Sequence, residues 1–286
     1  MSHPLADIFH KAARLNAENP RRTDNTIAIE PGMDVIVTGD LHGHRQNLMK
    51  IIAFADLPNR PETRLILQEI VHGTPDARTG QDRSLDVLLR AARLQISAPR
   101  QVIFILGNHD IAQATGNEIT KGGRGVCEAF SQSIRNAVEP EAAEEVQAAI
   151  HEFLLSTPIA ARTPGGVMML HTLPTPQRMK LAGPDVPAGP YTPQTLARGG
   201  CVYEWTWGRK PTVEQIDALA EHLGVEYFVL AHKRIETAYE VVSPKAIIIT
   251  AEHERGSLLR FSSDEPLGEH TVQEHLHRIA ALRRGN

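Results

Sequence analysis

Asp40 and His42 stand two positions apart at the exit of a short apolar run, Val35-Ile36-Val37. On an extended backbone, residues two apart aim their side chains to the same side. A carboxylate oxygen beside an imidazole nitrogen is a donor pair that suits a divalent metal ion. Gly39 and Gly43 flank the pair, so the chain can turn sharply and approach an ion or a phosphate closely. Taken singly, Asp40 fits a turn that caps the next helix equally well. Repetition favours the ligand reading. Glu69 follows the apolar run 64–67, Asn108 follows 102–106, His171 follows 167–170 and His232 follows 227–231. Asp40, His42, Glu69, Asn108, His171 and His232 supply enough oxygen and nitrogen for two metal ions that share a carboxylate. Such mixed ligation suits manganese, iron or zinc better than calcium.

The elements that position these donors follow from the spacing of apolar residues. Residues 35–37, 64–67, 102–106, 167–170, 227–231 and 246–250 read as strands, β-branched or apolar and bounded by turn formers. Residues 257–261 read as a further strand paired with 246–250. Leu48, Ile51, Ile52 and Ala55 predict a helix from residue 45, and Leu85, Leu88, Leu89 and Ala92 one from Ser84 as N-cap. Residues 111–155 read as mostly helical, interrupted by Gly122-Gly123-Arg124-Gly125, a lid over a pocket or a plain connection. Thr212 and Gln215 form a capping box that opens a helix ending at Gly224. Residues 173–193 are Pro-rich and irregular, either a loop that shapes a substrate site or a surface excursion. The domain reading is an N-terminal helical arm over 1–30, one catalytic domain over 31–262, and a C-terminal helix over 263–286 packed on it. Strands alternating with helices, with donors at the carboxyl ends of strands, predict an α/β fold with its site at a sheet crevice.

Composition sets outer bounds. A chain of 286 residues, 41% hydrophobic and 22% charged, is globular and holds one large domain or two small ones. A net charge of -4 gives no support for nucleic-acid or anionic-membrane binding. No apolar run approaches a membrane span, and residues 1–29 lack the apolar core of a signal peptide. The expected location is cytoplasmic, with Cys127 and Cys201 as free thiols. The oligomeric state stays open.

The chain resembles the calcineurin-like metallophosphoesterase superfamily, nearest its protein Ser/Thr phosphatase and diadenosine tetraphosphatase branch. The resemblance rests on Gly39-Asp40-Leu41-His42-Gly43, then Gly107-Asn108-His109-Asp110, then His171 and Ala231-His232, over roughly residues 33–255. It implies a two-sheet β-sandwich flanked by helices, four layers in the order αββα. It implies that Asp40 and His42 hold one metal, that Glu69 bridges, and that Asn108, His171 and His232 hold the second, with manganese the leading choice. His109 would then lie outside the coordination sphere and protonate the leaving oxygen.

One motif departs from the family. Where the family carries Gly-Asp-x-x-Asp-Arg-Gly, this chain carries Gln68-Glu69-Ile70-Val71-His72-Gly73. Glutamate is one methylene longer than aspartate, so a bridge through Glu69 requires a slightly retracted backbone. The usual arginine is displaced. Arg83 is one candidate for binding phosphate, Arg209 is another, and His72 a third contact for substrate. Residues 203–209 are alternatively a Trp-rich packing strand. Position 234 is Arg, so the Gly-His-x-His of the phosphodiesterase branch is absent. His253 is either its substitute or a surface residue.

The expected activity is metal-dependent hydrolysis of phosphate monoesters, on a phosphoprotein or a small phosphorylated or nucleotide substrate. Two metals about 4 Å apart lower the pKa of a bound water, offset phosphoryl charge and orient the nucleophile. Neither cysteine is needed. The alternative is a catalytically weak module of the same fold that binds phosphorylated ligands.

Overall fold

Alternate residues along a strand face opposite ways, and in this chain both directions are apolar. The computed structural model, which describes residues 2–76, 78–121 and 123–283, shows what those two faces cover. Val35, Val37, Ile66, Ile103 and Ile105 of one sheet meet Val167, Met169, Val229, Ile247 and Ile249 of another in a shared core. Their neighbours in sequence point outward. Ile36, Leu65, Leu67 and Phe104 pack under helices Pro4–Ala17, Arg45–Ala55, Ser84–Ser97, Val126–Ala137 and Pro140–Ser156. Met168, Leu170, Phe228, Leu230 and Ile248 pack under helices that include Cys201–Thr206 and Val213–Leu223. The result is the expected sandwich of two sheets between two helical layers.

Among the described residues, the first sheet has five strands, in the order Leu276–Arg278, Ser257–Ser262, Asp34–Asp40, Thr63–Gln68 and Val102–Ile105. Its last three run parallel, with Asp40 opposite Gln68 and Gln68 opposite Ile105. The second sheet has seven strands among the described residues. They lie in the order Arg22–Thr23, Thr26–Ala28, Ala160–Arg162, Val167–Leu170, Tyr227–Leu230, Ala246–Ile249 and Tyr239–Ser243. Here Val167–Leu170, Tyr227–Leu230 and Ala246–Ile249 are the parallel set. Parallel strands bring their carboxyl ends to one edge, where ligands of open α/β sheets gather. At that edge the two sheets touch. Asp40 and Thr250 form a parallel bridge, and a Cβ at Gly39 would sit 2.0 Å from the Ile249 carbonyl oxygen. Only glycine allows this approach.

Several local expectations change. Ser257–Ser262 pairs antiparallel with Asp34–Asp40 in the first sheet, not with 246–249. The chain crosses between sheets at the bridge, and Leu259 and Phe261 fill the shared core from the other side. No C-terminal helix forms over 272–283. Val272–His275 is a short 3-10 turn, Leu276–Arg278 is a strand, and Ile279–Ala281 is a second turn. The free edge of Ser257–Ser262 offers unpaired backbone groups, and the extended segment satisfies them. Residues 284–286 of that predicted helix lie outside the described residues. Ser84 is the first helical residue rather than the cap, because the Asp82 Oδ1 accepts its N–H at 2.6 Å. The N-terminal helix is part of the main core: Phe9 and Phe153 pack with ring centroids 5.8 Å apart. Among the described residues, no helix is long and apolar enough to cross a membrane.

Candidate active site

Each donor sits at, or within three residues of, a strand's carboxyl end. Asp40 ends its strand, Glu69 follows Thr63–Gln68, and His171 follows Val167–Leu170. Asn108 opens the helix Asn108–Thr115. The six sequence-nominated donors converge. His171 Nε2 lies 2.9 Å from Asn108 Oδ1, 3.0 Å from His232 Nδ1 and 3.5 Å from Glu69 Oε1. His171 Nδ1 lies 3.3 Å from Asp40 Oδ1. The other Glu69 oxygen lies 3.4 Å from His42 Nε2. Glu69 therefore joins two donor groups, Asp40 with His171 and His42 with His109, each tight enough to hold a cation.

The backbone is bent to achieve this. His42, Glu69, His72 and His232 have φ of 39°, 39°, 62° and 64°. Such left-handed conformations cost a non-glycine residue about 1–3 kcal/mol and persist only where the surroundings enforce them. Neighbouring backbone groups do so here. Val71 O lies 2.9 Å from His42 Nδ1, leaving Nε2 as the free lone pair towards Glu69. The His232 N–H donates to Asp40 Oδ2 at 2.9 Å, and the His109 N–H to Glu69 Oε1 at 2.7 Å. Gln68 donates to Thr38 O at 3.0 Å, locking the exits of two strands together. The longer Glu69 side chain is accommodated because residue 107 is glycine: a Cβ there would lie 2.3 Å from Glu69 Oε1.

Burial and mutual charge divide the protons unevenly. Burial raises Asp40, but the positive His171 outweighs it and holds the carboxyl near 2. Burial pushes Glu69 up to about 8. Burial lowers His171, yet the Glu69 and Asp40 carboxyls lift it to about 9. Burial drives His42 down to about 4, and His109 and His232 well below the ordinary imidazole value. Asp110 is pushed up by burial to about 7, and its Oδ2 accepts the Gly107 N–H at 2.9 Å. Neutral imidazoles and an ionised Asp40 are the forms that ligate metals. His232 Nε2 is buried with no hydrogen-bond partner, and Asp40 Oδ1 and His171 Nδ1 have only their 3.3 Å contact with one another. Buried polar atoms are rarely left so, and a divalent cation matches the donor set.

This floor opens into a cavity of about 580 Å³. His109 and His72 line one wall, and Arg209 and Arg234 another part of it. Arg83 is not among the lining residues. Its side chain is 63% exposed and pairs with Asp76 at 2.9 Å. His72 is fully buried with both nitrogens engaged, so it is no free contact for substrate. His253 borders the cavity but its Nε2 is taken by Ile235 O at 2.8 Å. The Trp-containing segment is helical over Cys201–Thr206, with Trp205 fully buried. Sequence reasoning named the stretch around Arg124 as a lid or a plain connection but gave the charges of Lys121 and Arg124 no role. They sit on the hairpin Thr120–Lys121 and Arg124–Gly125 and line the same cavity. The only trace of them was a basic pair around two glycines between helices. It also missed Gln113, the partner of His72.

Comparison with known proteins gives consistent findings. A model of the calcineurin-like phosphoesterase family matches residues 33–233. A protein serine/threonine phosphatase from Saccharomyces cerevisiae with similarity to human phosphatase PP5 superposes with a TM-score of 0.62 at 12% identity, covering 90% of this chain and 81% of that one. A cold-active protein-tyrosine phosphatase from a psychrophilic Shewanella species gives 0.57 at 14% identity, covering 88% and 80%. At such identities the likeness is one of fold. The sequence matches no curated protein.

Proposed function

This chain belongs to the calcineurin-like phosphoesterase family and is a hydrolase of phosphoric ester bonds. On that premise we propose that it is a phosphomonoesterase that uses two divalent metal ions. Asp40, His42, Glu69, Asn108, His171 and His232 would hold them, with manganese best suited to the mixture of donors. The observation that carries the reading is Glu69, whose two oxygens lie 3.5 Å from His171 Nε2 and 3.4 Å from His42 Nε2. When bound, the ions supply positive charge that offsets the phosphoryl oxygens and acidifies water at the site. The remaining work falls to the chain's own groups. His109, once protonated beside the bound phosphate anion, gives that proton to the leaving oxygen and returns to its neutral form. Arg209 presents a planar fork to the phosphate oxygens. Lys121 and Arg124 attract the anion to the mouth of the cavity.

Arg234 in place of a second histidine favours monoesters over diesters. A phosphorylated side chain or a small phosphorylated molecule suits a cavity of about 580 Å³. The free Cys127 and Cys201 suit a reducing, cytoplasmic setting. The test compares p-nitrophenyl phosphate with bis-p-nitrophenyl phosphate on the manganese-loaded and chelated protein. Metal-dependent release of nitrophenol from the monoester in preference to the diester is expected. Preference for the diester would overturn the monoester reading. Phosphate binding without turnover of either would make the chain a phospho-ligand-binding module instead.

A further inference from the structure

A ring that gives a proton to a leaving group must present one chosen nitrogen to it, with the other nitrogen occupied. His72, Gln113 and Ser131 provide that arrangement for His109. His72 is fully buried and uses both ring nitrogens. Its Nε2 lies 2.9 Å from Gln113 Oε1, and its Nδ1 lies 2.7 Å from His109 Nδ1. The Gln113 amide places its oxygen against His72, and its Nε2 donates to Ser131 Oγ at 3.1 Å. That oxygen only accepts, and therefore His72 carries its proton on Nε2. A neutral His72 then has a bare lone pair on Nδ1. Two imidazole nitrogens at 2.7 Å need one proton between them, and it belongs to His109 Nδ1. His109 Nε2 is left facing the cavity; once that nitrogen is also protonated, the ring gives the Nε2 proton to the leaving oxygen, while the His72 lone pair accepts from Nδ1–H before and after the transfer.

Packing fixes the tilt as well as the tautomer. The His72 ring meets His109 edge-on at 5.0 Å, and Phe130 meets His72 edge-on at 6.0 Å. On its other side His109 meets His42 at 4.7 Å. His72 also follows Val71, whose carbonyl orients His42. One short stretch thus aligns two histidines of the site. We propose that His72, held by Gln113, is a positioning residue that fixes the tautomer and direction of His109. It touches no reacting atom. The inference rests on the phosphatase reading for its kinetic consequence, but its structural content stands on the hydrogen-bond chain.

The kinetic test compares two monoesters, p-nitrophenyl phosphate and glycerol phosphate. The first leaving group departs with little help from a proton; the alkoxide of the second needs one. His72→Leu removes the acceptor while keeping bulk. It should lower kcat on glycerol phosphate by on the order of 10–10²-fold, with KM unchanged and p-nitrophenyl phosphate much less affected. His72→Asn, whose side-chain oxygen can take the place of Nδ1, should restore most of the loss. Gln113→Leu should fall between. A merely structural role would lower both substrates alike in every variant, and that result would overturn the proposal. The second readout needs no turnover. Ring ¹⁵N spectra of the zinc-loaded protein, assigned with His109→Ala, should show His109 protonated on Nδ1, and this signature should vanish in His72→Leu. A wild-type His109 protonated on Nε2 alone would overturn the proposal even if the enzyme is active. A protein that hydrolyses neither ester but shows the Nδ1 signature would sink the phosphatase reading and leave the positioning role supported.

Discussion

The cavity has a floor and a rim, and the two are built in different ways. On the floor, Asp40, Glu69, Asn108 and His171 are between 0% and 6% exposed. Glu69 there, with His42 and His232 beside it, holds left-handed backbone, and the Glu69 and Asp40 oxygens accept from the backbone N–H groups of His109 and His232. On the rim, Lys121, Arg124, Arg209 and Arg234 are exposed. Among the described residues, no hydrogen bond or ion pair holds the side chains of Lys121, Arg124 or Arg209. Charges buried on the floor interact strongly, because little water screens them. Charges on the rim are screened over about 8–10 Å by salt and act at longer range on arriving ligands. The contrast separates chemistry from capture: the floor should govern kcat and metal content, the rim KM and salt dependence.

The largest effect is expected from Glu69→Gln. A neutral amide cannot offset the repulsion of two neighbouring cations. The variant should keep its fold but lose at least one metal and nearly all hydrolysis, read by atomic emission and turnover. Glu69→Asp should be milder. Two metals and full activity in the Gln variant would mean that another group bridges. His109→Ala comes next. It should retain metal and lose turnover by on the order of 10²–10⁴-fold. Unchanged turnover would remove His109 from the chemistry and leave the floor a binding site only.

Metal uptake should depend on pH in a direction set by the floor. Glu69 near 8 and His171 near 9 both carry protons at neutral pH in the metal-free protein. A metal must displace them, so affinity should rise as pH rises towards 9, with proton release measurable by calorimetry in buffers of different ionisation enthalpy. Stability of the metal-free protein runs the other way. The folded state binds more protons than the unfolded one from Glu69's ordinary 4.5 to about 8, and from His171's ordinary 6.5 to about 9. Stability from these two groups is therefore lost as pH rises through those windows. His42 and His72, depressed to about 4, oppose this below 6.5, so the net decline should show between pH 6.5 and 9. Thermal melting with and without metal checks it, and a metal-free protein that gains stability across that range would contradict the proton assignment.

Smaller effects are expected on the rim. Lys121→Ala with Arg124→Ala should raise KM by about 10-fold or less and flatten its salt dependence, with kcat unchanged. A kcat loss as large as that of His109→Ala would erase the distinction between floor and rim. Arg83→Ala should be smallest of all. Its side chain is largely exposed and neither it nor its partner Asp76 lines the cavity, so activity and melting temperature should stay as in the wild type.

The floor was legible in the linear chain and the rim only at Arg209. Asp40, Glu69, Asn108, His171 and His232 each follow a β-branched or apolar run. The physics that makes such a run a buried strand also places the next polar residue at the strand's exit. The two-sheet core was expected from the family resemblance, and the runs apolar at every position agree with it, since they must be covered on both faces. His72 was readable only as a candidate contact for substrate. Its role depends on His109 and Gln113, which lie 37 and 41 residues further on, and no local pattern encodes those bonds. Lys121 and Arg124 look like any solvated basic pair until the hairpin brings them over the floor. Residues 272–283 carry a helix-like apolar spacing, and Ser257–Ser262 is as plausible beside 246–249 as beside Asp34–Asp40. In both places the sequence offers more than one way to bury the same side chains. The choice falls to whichever sheet edge has backbone hydrogen bonds left to satisfy, and that is a property of the assembled fold.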